Sequence, residues 1–149
     1  MKKTNTESHE PTDQTTTAAE LIEAARAIYR NAYAPYSGYK VAAAVLADDR
    51  RVYTGTNVEN AVYPLTMCAE RVAIFKAIAA GARRLLALAV VTENAGTPCG
   101  SCRQVMREFG DDAMPVYISD TQGNYTASTL GRLLPDSFTA SDLTGPKDS

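Results

Sequence analysis

The sequence predicts an α/β fold, a three-layer α/β/α sandwich around a mixed sheet of about five strands, and three observations carry that expectation. Residues 85–91, LLALAVV, form an apolar run without polar alternation, the pattern of a strand buried on both faces and able to run parallel to a neighbour. Two short valine-rich segments separated by a polar break precede it and read as a hairpin. Segments with helical spacing lie between and around these strands, so helices are available for both faces of one sheet. The 149 residues fit one ordinary domain and do not divide comfortably into two.

Residues 1–17 are rich in Thr, Lys and Glu and contain no apolar core of the kind a signal peptide needs. They read as a flexible polar tail ahead of a domain spanning residues 18–149. In TTAAELIEAARAIYR, Thr17 is placed as an N-cap, and Leu21, Ile22, Ala25, Ile28 and Tyr29 recur on one helical face. NAYAPYSGY, with Pro35 and Gly38, is a loop. Val41–Leu46 and Arg51–Thr54 flank the turn ADDR and predict two antiparallel strands. GTNVENAVYPLT, residues 55–66, has turn formers and no sustained period; so long an irregular stretch inside a small domain tends to carry function.

Cys68 to Ala80 predicts a helix that packs through Val72, Phe75, Ile78 and Ala79, with Phe75 in the core and Gly81 as its stop. After the strand at 85–91, TENAGTPCGSC is a loop that runs into the helix CRQVMREF, closed by Gly110, with Met106 read as core. PVYIS and NYTAS, joined by DTQG, predict two further strands, and TLGRLLPDSF a short helix stopped by Pro135.

Fifteen basic residues against seventeen acidic ones give a net charge of −2, which leaves no excess positive charge to neutralise a nucleic-acid backbone or an anionic membrane. No stretch approaches the roughly 18 apolar residues of a membrane helix. A cytoplasmic protein is expected. Three cysteines, an odd number in a chain with no export signal, argue for reduced thiols and shift attention to metal binding or reactivity.

Those cysteines carry the chemistry. Cys99 and Cys102 form C-x-x-C in TPCGSC, and Cys68 lies at a separate helix start. At a first helical turn, unpaired N–H groups and the helix dipole favour thiolate, so three such sulfurs converging on one point would make a zinc site. Structural zinc takes four protein ligands and catalytic zinc keeps one position for water. The one histidine, His9, lies in the tail, so the expected site is open. A dication held by three thiolates carries net negative charge, which would hold the pKa of bound water up unless something offsets it. Arg71, one turn along from Cys68, can donate to a thiolate. Glu70, two positions after Cys68, is a carboxylate suited to take a proton from a water and deliver it to a substrate nitrogen.

Taken singly, each cysteine has the ordinary alternative of a small core residue, C-x-x-C that of a redox pair, and Asn57 and Glu59 that of solvated turn residues. The order C-x-E then P-C-x-x-C, both at helix starts, is rarer and is the recognised signature of zinc-dependent deaminases.

Between Leu21 and Leu143 the chain resembles the small homotetrameric cytidine deaminases of pyrimidine salvage, through AYAPYSGYKVAAAV, GTNVENAVYPLTMCAERVAIFKAIAAG, TPCGSCRQVMREFG and LLPDSF. The resemblance implies one zinc per subunit on Cys68, Cys99 and Cys102, Glu70 as proton shuttle, and Arg71 tempering the thiolate charge. It implies Asn57 and Glu59 on the ribose hydroxyls, Ala69 offering backbone contact to the base, and Tyr63 near the sugar. It implies Phe138 covering the pyrimidine in a neighbouring subunit's pocket, so that the tetramer completes each site. Tyr39 stands where the family commonly has Phe against the base, and Ala42 where it commonly has Gly, a change expected to adjust packing near the pocket. The implied reaction is hydrolytic deamination of cytidine and 2′-deoxycytidine. A free nucleoside suits Glu59, whose charge would disfavour a nearby phosphate. A blasticidin S-type deaminase shares the cysteine motifs, though NVEN, Arg71 and LLPDSF favour the nucleoside enzyme; a non-catalytic zinc module and a thiol oxidoreductase are the readings from other classes. A polynucleotide deaminase would need a basic groove, which the composition of this chain does not supply.

Overall fold

Helix α1 (Ala18–Ile28) starts where its cap was expected. In the computed structural model, which describes residues 16–144, the Thr17 hydroxyl accepts from the Glu20 N–H and the Glu20 carboxylate accepts from the Thr17 N–H. This reciprocal pairing satisfies two N–H groups that a helix start otherwise leaves free. The rest of the expected tail, with His9, lies outside the described residues.

Leu21, Ile22 and Ala25 are the buried side of α1. They pack on Ala42, Ala44 and Leu46 of strand β1 (Val41–Ala47) and on Ala87, Ala89 and Val91 of β3 (Leu85–Thr92). Because side chains alternate across a strand, Ala43, Val45, Leu88 and Val90 point the other way. They form a second core with α2 (Ala69–Ala79) and α3 (Gly100–Phe109). Two covered faces explain why β3 has no polar alternation, and burial of each Leu or Ile there contributes about 2 kcal/mol.

The sheet order is β2-β1-β3-β4-β5, where β2 is Val52–Thr56, β4 is Pro115–Ser119 and β5 is Tyr125–Thr129. β1 runs antiparallel to β2 and β3, β3 runs parallel to β4, and β5 closes antiparallel to β4. The parallel pair needs a crossover, and α3 supplies it. A short helix α4 (Leu130–Leu133) ends just before Pro135, as expected. A further turn of helix, α5 (Ala140–Leu143), was not expected; Thr139 and Asp142 cap it reciprocally.

Two expectations are corrected. The buried side of α2 is Ala69, Glu70, Ala73, Ile74 and Ala77, whereas Phe75 is 44% exposed and Ala79 is exposed too. AERVAIFKAIA is apolar nearly all round, so bulk does not choose its face. Close approach does: a Cβ on Gly55 of β2 would stand 2.6 Å from Ala73 N and 2.7 Å from Ala69 O, so α2 presents its small residues and lies tight on the sheet. Second, α3 begins at Gly100, two residues before the expected CRQVMREF, because the Cys99 sulfur accepts from the Cys102 N–H at 3.5 Å and caps the helix. Met106 is fully buried, as expected.

The irregular stretch after β2 is held by its backbone. Val58 and Met67 exchange two hydrogen bonds of 3.0 Å, Tyr33 N–H donates to Asn57 O at 3.0 Å, and Glu59 N–H donates to Tyr33 O at 2.9 Å. These bonds fix Asn57 and Glu59 beside the start of α2.

Candidate active site

The starts of α2 and α3 meet at one point. Cys68 is the N-cap of α2, Cys99 is the N-cap of α3, and Cys102 sits in the first turn of α3. The three sulfurs lie within 4.8 Å of one another, with Cys68 and Cys99 at 3.9 Å. Arg71 Nη2 donates to Cys68 Sγ at 3.3 Å, while its buried Nε has no hydrogen-bond partner among the described residues. A hydrogen bond from Cys102, with support from the Arg71 guanidinium, pulls the Cys68 thiol down to about 5. Cys102 is pushed up, because its proton is held against Cys68 and because burial and the Glu70 charge oppose a second anion there. One thiolate is therefore already formed near neutral pH.

Glu70 is only 4% exposed, with its carboxylate 3.7 Å from the Cys102 sulfur, and burial raises its pKa above the usual carboxylate range. A buried carboxyl that takes up a proton more readily than usual is suited to general acid–base work.

The donor set fits zinc. Three soft ligands converge, one already a thiolate, and no histidine occurs among the described residues to close a fourth position. Cys68, Cys99 and Glu70 all line a cavity of about 280 Å³, so the open direction of the sulfur triangle faces space large enough for a small substrate.

Asn57, Glu59 and Tyr39 line the same cavity. The Asn57 side chain is buried and fixed: its Oδ1 accepts from Val41 N–H at 2.9 Å and its Nδ2 donates to Tyr39 O at 2.8 Å. Glu59 accepts from the Ser37 hydroxyl at 2.5 Å and from the N–H groups of Tyr36 and Ser37 at 2.9 and 3.1 Å. The Ser37 hydroxyl leads the donors that lower its pKa, so it is ionised well below neutrality.

The other expected site residues, Ala69, Tyr63 and Phe138, do not line the cavity. Ala69 is fully buried between Cys68 and Glu70. Tyr63 is 70% exposed and packs edge-on against Tyr36, with ring centroids 5.7 Å apart, in an adjoining hollow that shares Ser37, Glu59 and Thr66 with the cavity. Phe138 is 57% exposed and does not line the cavity of its own chain; the Gln104 side chain donates to its carbonyl at 2.9 Å. Ala42 corrects an expectation: it belongs to the core under α1, on the face of the sheet away from the cavity, so it does not adjust packing near the pocket.

Ser37, Thr92 and Gly96 also line the cavity, and Asn94 holds Tyr39 and Thr92 beside it, none of them expected from the sequence. Thr92, on the last position of β3, is the one with a legible signal, a hydroxyl at the end of an otherwise apolar strand.

The profile of the family described as "Cytidine and deoxycytidylate deaminase zinc-binding region" matches residues 15–118. A cytidine deaminase from Sporosarcina psychrophila is 45% identical over 126 residues, which are 83% of this chain and 93% of that protein. One from Halalkalibacterium halodurans is 46% identical over 125 residues, 83% of this chain and 95% of that protein. Among solved structures, the crystal structure of cytidine deaminase from Burkholderia pseudomallei superposes with a TM-score of 0.77 at 50% identity, covering 82% of this chain and 99% of that one.

Proposed function

The chain belongs to the zinc-dependent cytidine deaminase family, and from that premise we propose that its cavity takes free cytidine or 2′-deoxycytidine and releases ammonia with uridine or 2′-deoxyuridine, a reaction of pyrimidine salvage in the cytoplasm. The observation that carries the reading is the triangle of Cys68, Cys99 and Cys102 sulfurs within 4.8 Å, open toward a cavity that Glu70 also lines.

Cys68, Cys99 and Cys102 would hold a zinc ion, which would supply a water that loses its proton more readily than bulk water. Glu70 would take a proton from the attacking water and deliver it to N3 of cytosine. It would then carry the proton of the new C4 hydroxyl to the amino nitrogen, so that the C4–N bond breaks, ammonia leaves and the C4 carbonyl forms. Burial suits Glu70 to this, because the carboxyl must hold a proton and release it within one turnover. Arg71, against Cys68, offsets the charge of three thiolates. Asn57 and Glu59 present an amide and a carboxylate to the sugar hydroxyls, and a carboxylate there disfavours a 5′-phosphate. Ala69 offers backbone to the base, Tyr63 approaches the sugar, and Tyr39 backs the pyrimidine.

The subunits assemble as a homotetramer in which Phe138 covers a neighbour's pyrimidine. Phe75, Tyr63, Leu65 and Phe138 stand exposed on the described surface, apolar groups that further copies of the chain would cover. Sedimentation at a tetramer's mass with a raised KM for Phe138→Ala supports this; a monomer with unchanged KM overturns it.

The test of function is the ultraviolet change on adding cytidine to purified protein, with ammonia and bound zinc measured in the same sample. One ammonia per uridine and about one zinc per chain are expected. Ammonia from blasticidin S but none from cytidine would overturn the nucleoside reading.

A further inference from the structure

Tyr39 is held at three points. Its N–H donates to the Ser37 hydroxyl at 3.0 Å, its carbonyl accepts from Asn57 Nδ2 at 2.8 Å, and its hydroxyl donates to Asn94 Oδ1 at 2.7 Å. The first two bonds tie it to residues that contact Glu59 or line the cavity beside it. The third crosses to the loop between β3 and Cys99. There the Thr92 hydroxyl donates to the same Asn94 oxygen at 3.3 Å and accepts from the Gly96 N–H at 2.6 Å. An amide oxygen has two lone pairs, and Tyr39 and Thr92 occupy both.

The loop is shaped around this contact. Ala95 adopts φ 54°, a left-handed conformation that a residue with a Cβ keeps only where its neighbours hold it. Next to it, a Cβ added to Gly96 would overlap the Tyr39 hydroxyl. Tyr39, Thr92, Gly96, Thr97 and Cys99 all line the cavity, so this contact joins two of its walls.

We propose that the Tyr39 hydroxyl is a positioning group: by docking on Asn94 it latches the wall that carries Asn57 and Glu59 to loop 93–98, and so sets the width of the nucleoside pocket. The hydroxyl is engaged by protein and is not a hydrogen bond to substrate. A phenylalanine at this position would present the same ring without the latch. The inference rests on the nucleoside-deaminase reading of the cavity and adds Asn94, Thr92 and Gly96 to what shapes it.

The test compares Tyr39→Phe, Asn94→Ala, their double variant and Asn94→Asp in the full-length zinc-loaded protein. A latch worth one ordinary neutral hydrogen bond predicts that Tyr39→Phe and Asn94→Ala each raise KM for cytidine about fivefold, with kcat changed by less than about twofold. The double variant matches Asn94→Ala, because without the Asn94 oxygen Tyr39→Phe has no further contact to remove. Asn94→Asp keeps an acceptor oxygen and restores KM. Independently of activity, hydrogen exchange at the Gly96 amide accelerates in Tyr39→Phe and Asn94→Ala. Unchanged KM and unchanged Gly96 exchange in Tyr39→Phe, or multiplying effects in the double variant, would overturn the latch. Failure of the wild-type protein to turn over cytidine would instead overturn the reading beneath it, while Gly96 exchange would still report on the latch.

Discussion

The two faces of the sheet are built from the same strands but differ in kind. Under α1, Leu21, Ile22 and Ala25 meet alternate residues of β1 and β3, an apolar contact made largely of small side chains and aliphatic ones. Under α2 and α3, the core of Ala43, Val45, Leu88 and Val90 gives way at one end to two helix starts, three thiols and a buried carboxyl. The two buried side-chain nitrogens without a partner among the described residues, Arg71 Nε and Arg107 Nε, belong to α2 and α3. A helix start leaves N–H groups unsatisfied, so it suits anions better than apolar packing does. The α1 face supplies stability, and the other face concentrates the groups that cost stability and perform chemistry.

The sharpest break of that comparison is Glu70→Gln. On the proposed role of Glu70 as proton carrier, the substitution should lower kcat about a thousandfold, or about 4 kcal/mol in the barrier, while zinc content stays unchanged. Near-normal turnover would remove Glu70 from the mechanism. The same substitution should also help the zinc-free fold, in a pH-dependent way. Burial raises the folded-state pKa of Glu70 above the ordinary 4.5, so the stability linked to its protonated form is complete below that value and is lost as pH rises through the folded pKa. An amide in its place does not ionise; the melting temperature of the Glu70→Gln variant should exceed that of the zinc-free parent by a margin that is small near pH 4 and grows toward pH 8. A margin that shrinks with pH would contradict burial as the cause.

The converse substitution lies on the other face. Leu21 is among the largest fully buried side chains, and Leu21→Ala should cost about 3 kcal/mol in denaturant unfolding. At temperatures where the variant is folded, kcat and KM should stay at parental values. A fall in kcat with zinc retained would mean that the α1 face tunes the site and that the division is false. Arg71→Gln is smaller and falls on the chemical face: removal of the 3.3 Å donor to Cys68 should weaken zinc binding about tenfold in competition with a chelator. Unchanged zinc retention would leave the helix N-termini as the sole charge offset.

The same division sorts what was legible in the sequence. α1 carries a helical period created by burial of one face and β3 an unbroken apolar run created by burial of both, and the structure reproduces them. The convergence of the three cysteines beside Glu70 was legible because cysteines are scarce in this chain and fall at two helix starts at informative spacing. The packed side of α2 was not legible, since AERVAIFKAIA is apolar on most of its circumference and its orientation is decided by Gly55, a residue of a different element. Nor was the Tyr39–Asn94 contact, which joins two loops 55 positions apart; a side-chain hydrogen bond between loops leaves no period in either segment. Ser37 was obscured likewise, because its role emerges only when Glu59 folds back onto it.

Ala42 gives the finest probe of the two faces. It stands where the resemblance leads one to expect glycine, within a strand whose next residue, Ala43, faces the α2 core. Side-chain alternation sends Ala42 toward α1, where it is fully buried and paired in register with Thr56 and Val91. Its methyl group therefore adds apolar burial and restricts the unfolded backbone without reaching the cavity. Ala42→Gly should cost about 1 kcal/mol in unfolding free energy. KM for cytidine should not move, because Ala42 is not among the residues that line the cavity. A shifted KM at unchanged zinc content would show that a one-methyl change is transmitted through β1 from the packing face to the chemical one, and the sheet would then couple the two faces that its alternation otherwise keeps apart.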